Sequence, residues 1–168
     1  MTDASQEFCG DYSGESAKEL ISLADRYRSD WVVQAFGQAI SQKWGREGAD
    51  SLSDEENFVL AIEALENEVS NGGYSLFFMN SSCEYVPTIV QQLVEIGREE
   101  LALLTQEAID VLGKPTPKPD ALPGIMEQDD AERDAKLWDC DDRFFSSAWA
   151  LADPVLAYIR ANEAAFTL

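Results

Sequence analysis

Histidine is absent from this 168-residue chain, which removes Ser-His and Cys-His nucleophile pairs and any imidazole-ligated metal site. Cysteine is scarce. Cys9, Cys83 and Cys140 are odd in number, far apart and without a Cys-x-x-Cys pair, which argues against a disulfide framework or a thiolate zinc site and leaves reduced, mostly buried thiols. Positive charge is scarce too: 12 Lys and Arg stand against 32 Asp and Glu, for a formal net charge of −20 and a sequence pI near 4.1. Such a surface repels phosphate backbones and anionic lipid, so direct nucleic-acid binding and membrane association are disfavoured. Long apolar runs are also missing, and the opening residues Met1 to Glu7 carry neither a basic nor an apolar leader region. The expectation is a cytoplasmic protein.

What the chain does have is a core. Hydrophobic residues make up 45% of it, with eight Phe, five Tyr and four Trp, enough for one domain of this length. Every periodic segment repeats near 3.6 residues and no alternating strand pattern competes, so the expected fold class is all-α, a compact multi-helix single domain over residues 15–168. Residues 1–14 lack period and read as a loosely ordered N-terminal arm, with Phe8 and Tyr12 docking on the body.

From Glu15, residues Leu20, Ile21, Leu23 and Ala24 predict a short amphipathic helix ending near Tyr27. Asp30 is the expected cap of a second helix, whose buried side carries Trp31, Ala35, Ala39, Ile40 and Trp44 and which ends at Gly45 and Gly48. Ser53-Asp54-Glu55-Glu56 is a capping box, in which Glu56 reaches back to the serine amide. The helix it starts places Phe58, Ile62, Leu65 and Val69 on one face and Glu56, Glu63 and Asn67 on the opposite one. No Lys or Arg interrupts Asp54 to Glu68. Pro87 predicts a helix start, with Ile89, Val90, Leu93 and Val94 inward until Gly97. The next helix has Leu101, Leu104, Ala108 and Leu112 as its core stripe and Gly113 behind it. The run Lys114-Pro-Thr-Pro-Lys-Pro predicts a surface connection over 114–124. Asp129, Asp130, Glu132, Asp134, Asp139, Asp141 and Asp142 then crowd a helical segment anchored by Leu137, Trp138, Phe144, Phe145 and Trp149. Asp153-Pro154 is the expected start of the last helix, packed down by Val155, Tyr158, Ile159 and Phe166.

The organising stretch is Glu68–Ser82. Asn71-Gly72-Gly73 supplies residues that tolerate positive φ, so a helix running into Val69 can end there and the chain can reverse. Tyr74, Leu76, Phe77, Phe78 and Met79 must then be buried, as a short helix closed by Asn80, Ser81 and Ser82. An acidic helix ending Glu68-Val69-x-Asn71-Gly72-Gly73-Tyr74, followed by Phe77-Phe78-x-Asn80-Ser81-Ser82, resembles a bacterial all-helical family, mostly of unknown function. The likeness runs from about Leu52 to Phe166 and takes in Ile96-Gly97, Cys140-Asp141 with Phe144-Phe145, and Tyr158-Ile159. One branch of that family is described as DNA mimics, acidic homodimers that occupy the DNA-binding surface of a helix-turn-helix transcription factor. The resemblance therefore implies a regulatory binding protein, and a homodimer.

With nitrogen and sulfur chemistry set aside, carboxylates remain. Asp139, Asp141 and Asp142 are oxygen ligands of the type Mg²⁺ or Ca²⁺ takes, but Asp129–Arg143 contains no glycine and matches no twelve-residue calcium loop. Gly72-Gly73 is not followed by the lysine of a phosphate loop. No catalytic residue, metal or cofactor is expected. What is expected is an acidic surface that binds a basic DNA-binding protein in place of DNA, through Glu56, Glu63, Asp129, Asp130, Glu132, Asp134, Asp139 and Asp142. B-form DNA carries about one negative charge per 1.7 Å of axis, so a face roughly 35–40 Å long matches it with about twenty charges. Glu68, Asn71, Gly72, Gly73, Phe77, Phe78 and Asn80 are the structural motif. Two alternatives stand beside this reading: an immunity protein against a basic nuclease toxin, and a carboxylate-based hydrolase. The hydrolase needs a concave polar pocket holding two carboxylates of separated pKa, whereas a mimic needs convex rows of acids.

Overall fold

The computed structural model describes residues 11–168. Among them lie eight α-helices, four short 3-10 turns and no strand, the all-α class that the periodicity predicts. They gather into two units, one formed by the described residues up to Leu60 with Ala150–Leu168, the other by Ala61–Trp149. Of the expected N-terminal arm, residues 1–10 lie outside the described residues, Phe8 and Cys9 with them. Tyr12 is half-buried, and its N–H donates to Gln38 Oε1 at 2.8 Å.

In the first unit, α1 (Ala17–Leu23) starts on a capping box: Ser16 Oγ accepts from the Glu19 N–H, and the Glu19 carboxylate accepts from the Ser16 N–H. In α2 (Ser29–Glu47) the face Val32, Val33, Ala35, Phe36, Ala39 and Ile40 is buried. Asp30 is not its cap. The helix already begins at Ser29, and the Asp30 carboxylate in the first turn accepts from the Arg28 guanidinium at 2.8 Å and the Trp31 N–H at 3.1 Å. Trp44, expected inside, is 52% exposed, because the inward position of that turn is taken by Lys43, three residues after Ile40. Gly48, at φ 89°, ends the helix.

The helix α3 (Asp54–Met79) opens on the predicted capping box, with the Glu56 N–H donating to Ser53 Oγ at 3.0 Å and the Ser53 N–H donating to Glu56 Oε2 at 2.9 Å. The label α8 is given to Ala152–Ala161, whose Val155, Leu156 and Ile159 are buried and which packs on α2. It begins one residue ahead of Asp153, so Asp153 and Pro154 sit in the first turn and no side-chain cap bond forms. Phe58 stacks on Tyr158 with centroids 3.9 Å apart, and Phe36 meets Phe166 edge-on at 5.5 Å.

In the second unit, α3 continues from Ala61 and buries Ile62, Leu65 and Val69. Its helical conformation breaks at Gly72 (φ −159°, ψ 20°) and Gly73 (φ 72°, ψ −177°), and the next turn buries Tyr74, Phe77 and Phe78. The expected corner is there, although Met79 is exposed and Leu76 only half-buried. Asn80 Nδ2 donates back to Glu68 Oε2 at 2.9 Å, spanning the corner.

The helix α4 (Ile89–Glu95) starts two residues after Pro87 and buries Ile89 and Leu93. Val94, expected inward, is exposed, since about 100° per residue carries it roughly 140° from Ile89. Gly97, at φ 70°, turns the chain into α5 (Glu99–Val111), which packs on α4 and on α7 (Ala131–Phe145). The connection predicted over 114–124 is shorter than expected. Pro119–Ala121 forms a 3-10 turn and α6 (Leu122–Met126) follows, with Leu122 fully buried. Pro119 and Pro123 both fall in first turns, where the missing N–H has no intrahelical partner to lose.

Candidate functional site

The site is built on α7. Asp130 is its N-cap, accepting from the Arg133 N–H at 3.0 Å. Its buried line is Arg133, Leu137, Cys140 and Phe144, spaced four, three and four residues apart. The Arg133 guanidinium donates to the Ile125 and Gln128 carbonyls and to Asp134 Oδ1, tying the start of α7 to the end of α6. Trp138 and Phe145, expected as anchors beside Leu137 and Phe144, are instead 70% and 57% exposed. Each follows a buried residue and so lies about 100° round the helix from it.

That rotation divides the acids of α7 into two stripes. On one, Glu132 accepts from Lys136 at 2.7 Å, and Asp139 and Glu107 both face Arg143. Exposed i, i+4 pairs of this kind stabilise by only a few tenths of a kcal/mol, but they neutralise the stripe. On the other stripe, Asp134, Trp138, Asp141, Asp142 and Phe145 line an open depression of about 510 Å³, with Asp134 paired to Arg133 at 2.7 Å and Asp141 and Asp142 without an ion pair among the described residues. Its opposite wall is Asn71, Gly72, Gly73 and Ser75. The Asn-Gly-Gly corner and three acids of the second block, 61 residues or more further along the chain, thus form one concave site.

Asp141 joins the two walls. Its Oδ1 accepts from the Tyr74 N–H at 2.7 Å, the first free amide after the glycine break. Its carboxyl lies against the Gly73 Cα so closely that a Cβ there would come within 2.7 Å of all three carboxylate atoms. The Tyr74 ring is buried behind it, with its hydroxyl 2.9 Å from Thr105 Oγ1 on α5 and its ring edge-on to Phe144. Half-burial raises the Asp141 carboxyl above the usual range, the Tyr74 N–H opposes that rise, and the neighbouring Asp142 adds to it. No ion pair to Asp141 occurs among the described residues.

The residues expected to bind a partner scatter accordingly. Asp134 and Asp142 are exposed and line the depression, whereas Asp129, Asp130, Glu132 and Asp139 are exposed but do not line it. Glu56 is a correction. It is wholly buried, because its capping-box carboxylate also accepts from Lys43 Nζ at 2.8 and 3.0 Å and from the Thr167 N–H at 3.0 Å. Glu63 is half-buried and not on an open face, and its carboxyl is pushed up to about 8, first by desolvation and then by Glu66. The first acidic block therefore offers less surface charge than its composition promises.

A pH dependence follows from Glu63. Its folded pKa, about 8, lies above the usual carboxylate value of about 4.3, so the folded state binds more protons than the unfolded one between these limits. Stability is then greatest below the lower limit and falls as pH rises through the upper. Glu63→Gln should flatten the decline in melting temperature between pH 5 and 8.5, and leave the pH 5 value nearly unchanged. Parallel wild-type and variant curves across that range would show that Glu63 ionises without cost.

Sequence reasoning missed Trp138 and Phe145 as surface residues and left Asp141 out of the site. The signal was present in the spacing: Asp134, Trp138, Asp141 and Phe145 recur at intervals of four, three and four, beside the apolar line rather than on it. Among the described residues no group of three or more Cys, Asp or Glu side chains is placed to hold a metal ion, and no helix is long and apolar enough to cross a membrane. A sequence model described as DMP19-like protein matches residues 50–162. No curated protein and no solved structure matches the chain.

Proposed function

The chain belongs to the DMP19-like protein family, and from that premise we propose that it is an acidic protein-binding module that occupies the DNA-binding surface of a basic protein, a helix-turn-helix regulator being the type. The observation that carries this reading is the outer stripe of α7. It presents Asp142, which has no ion pair among the described residues, beside two exposed aromatic side chains, on a chain with a formal charge of −20. Carboxylates in fixed positions accept the Lys and Arg donors that otherwise grip phosphates, and large exposed aromatics are the side chains that anchor protein interfaces. An immunity protein against a basic nuclease would use the same stripe and differs only in the partner.

The test is competition by gel shift with a purified basic DNA-binding protein and its duplex. Wild type should release the duplex and show no affinity for DNA itself. Raising salt from about 50 to 200 mM should weaken the competition tenfold or more, as the screening length contracts. Asp142→Asn should weaken it further at low salt, whereas Glu132→Gln with Asp139→Asn, on the neutralised stripe, should change it little. Salt-independent competition, or none, would mean that the acidic surface only keeps the protein soluble.

One observation favours the hydrolase as a second reading: the site is concave and holds a carboxyl, Asp141, whose pKa is raised. The same carboxylate already holds the Tyr74 N–H and abuts Gly73, which gives it a structural task. Turnover of ester or glycoside substrates that vanishes in Asp142→Asn would favour catalysis over binding.

A further inference from the structure

The depression between α7 and the Gly72–Gly73 corner has more definition than an acidic face requires. We propose that it is a receptor for one arginine side chain presented by a protein partner, with the guanidinium lying against Trp138 and its fork directed to the carboxylate of Asp142, one helical turn further on. This rests on the acidic-module reading and specifies which side chain that module takes and where.

Three features select this occupant. The wall opposite α7 is the Gly72–Gly73 corner, and the Asp141 carboxylate occupies the space against Gly73, so this side of the depression is acidic as well. The α7 wall carries an indole and a phenyl ring that the protein leaves uncovered, and a guanidinium is the cation best matched to such a face because it stacks as well as attracts. Asp142, exposed one helical turn after Trp138, is a carboxylate of the kind that accepts paired N–H donation, which an ammonium cannot reproduce in geometry. Charge complementarity points the same way: no Lys or Arg lines the depression, and of its three aspartates only Asp134 is ion-paired, with Arg133, while Asp141 and Asp142 have no ion pair among the described residues.

The volume, about 510 Å³, falls in the range of small-molecule sites, which bury most of a ligand's surface. Trp138 is nonetheless 70% exposed, so the site is wide at the mouth. A free small cation would be poorly enclosed there, whereas a side chain delivered by a partner brings its own backbone to cover the rim. The pocket lies within the second unit and uses residues from both of the features that make this chain recognisable, the corner and the second acidic block.

The test uses the full-length protein and two nine-residue peptides of equal charge, one with a central arginine and one with a central lysine, each on an otherwise identical basic scaffold. A third peptide carries citrulline at the centre. Binding is followed by isothermal titration and by the indole N–H resonance of Trp138, assigned through Trp138→Phe. The arginine peptide should bind at least tenfold more tightly than the lysine and citrulline peptides and shift the Trp138 resonance. Asp142→Asn and Trp138→Leu should each remove that preference. Glu132→Gln with Asp139→Asn, of larger charge change but off the pocket, should keep it.

Equal affinity for arginine and lysine peptides would overturn the proposal while leaving the acidic-module reading in place, since net charge would then suffice. So would an arginine peptide that binds wild type and both pocket variants alike. Absence of any shift at Trp138 with saturating arginine peptide would equally overturn it. Failure of the protein to compete with DNA for any basic protein would instead remove the module reading, a separate result. Circular dichroism of each variant guards against misfolding, and neither Asp142 nor Trp138 is buried.

Discussion

Replacing Gly73 with valine is expected to destabilise the protein by about 2–6 kcal/mol, through two mechanisms that add. Gly73 has φ 72° and ψ −177°, a conformation essentially confined to glycine and worth about 1–3 kcal/mol of strain for another residue. A Cβ would also overlap the Asp141 carboxylate. That overlap cannot be relieved cheaply, because moving Asp141 breaks its bond from the Tyr74 N–H, and overpacking of this sort costs a further 1–3 kcal/mol or so. In a thermal melt the loss should appear as a fall on the order of 10 °C. Gly72→Ala should cost less, since Gly72 has ordinary φ and its Cβ would crowd only the Leu76 side chain, from Cβ at 3.0 Å to Cδ2 at 2.8 Å, with no hydrogen-bonded group displaced. Placing Gly73→Ala in an Asp141→Ala background separates the two terms: the backbone strain stays and the overlap goes. An unchanged melting temperature for Gly73→Val would show that the corner does not need this glycine.

The second large effect concerns Lys43 and Glu56. Glu56→Ala should cost about 3–5 kcal/mol, the usual penalty for leaving one member of a buried ion pair without the other. Lys43 is 4% exposed and Glu56 is not exposed at all. Besides the carboxylate, Lys43 Nζ donates to Thr167 Oγ1 at 2.6 Å, and the Thr167 N–H donates to Glu56 Oε1 at 3.0 Å. Removing Glu56 therefore strands an ammonium and frees the amides of Ser53 and Thr167 together. The double replacement, Lys43→Met with Glu56→Met, should cost less than Glu56→Ala alone, because no charge is then left buried. Urea denaturation of the singles and the double closes the cycle. Additive costs would mean that the two side chains do not interact, contrary to their 2.8 Å separation. Glu56→Lys, a natural choice for probing surface charge, would place a second ammonium beside Lys43 and report on folding instead.

The all-α class, the capping box at Ser53 and the break at Asn71-Gly72-Gly73 were all legible in the order of residues. Each depends on interactions within a few residues along the chain: a serine and a glutamate three apart, a glycine where φ must be positive, apolar residues at 3.6-residue spacing. The missed helix starts at Asp30 and Asp153 have the same scale and show its limit. An Asp in the first turn is favourable whether or not it is the cap, so composition alone leaves the boundary open by two residues, the caps being Arg28 and Leu151.

The orientation of α7 was less legible. Leu137 and Trp138 are both hydrophobic, as are Phe144 and Phe145, and adjacent residues differ by about 100° in direction. Which of each pair turns inward is decided by the packing of α5 and of the buried Tyr74 against one face of the helix.

What the sequence determined by itself is the excess of negative charge, the absence of histidine chemistry, and the helices with their one glycine hinge. Only the tertiary structure decided which of the acids face outward. Glu56 went inside because Lys43, thirteen residues away on another helix, and Thr167, near the far end of the chain, converge on it. Asp134, Asp141 and Asp142 met the Gly72–Gly73 corner for the same kind of reason. Helix formation is governed by neighbours in sequence, whereas the environment of a carboxylate is set by whatever the fold brings within a few ångströms of it, and the distance along the chain carries no record of that.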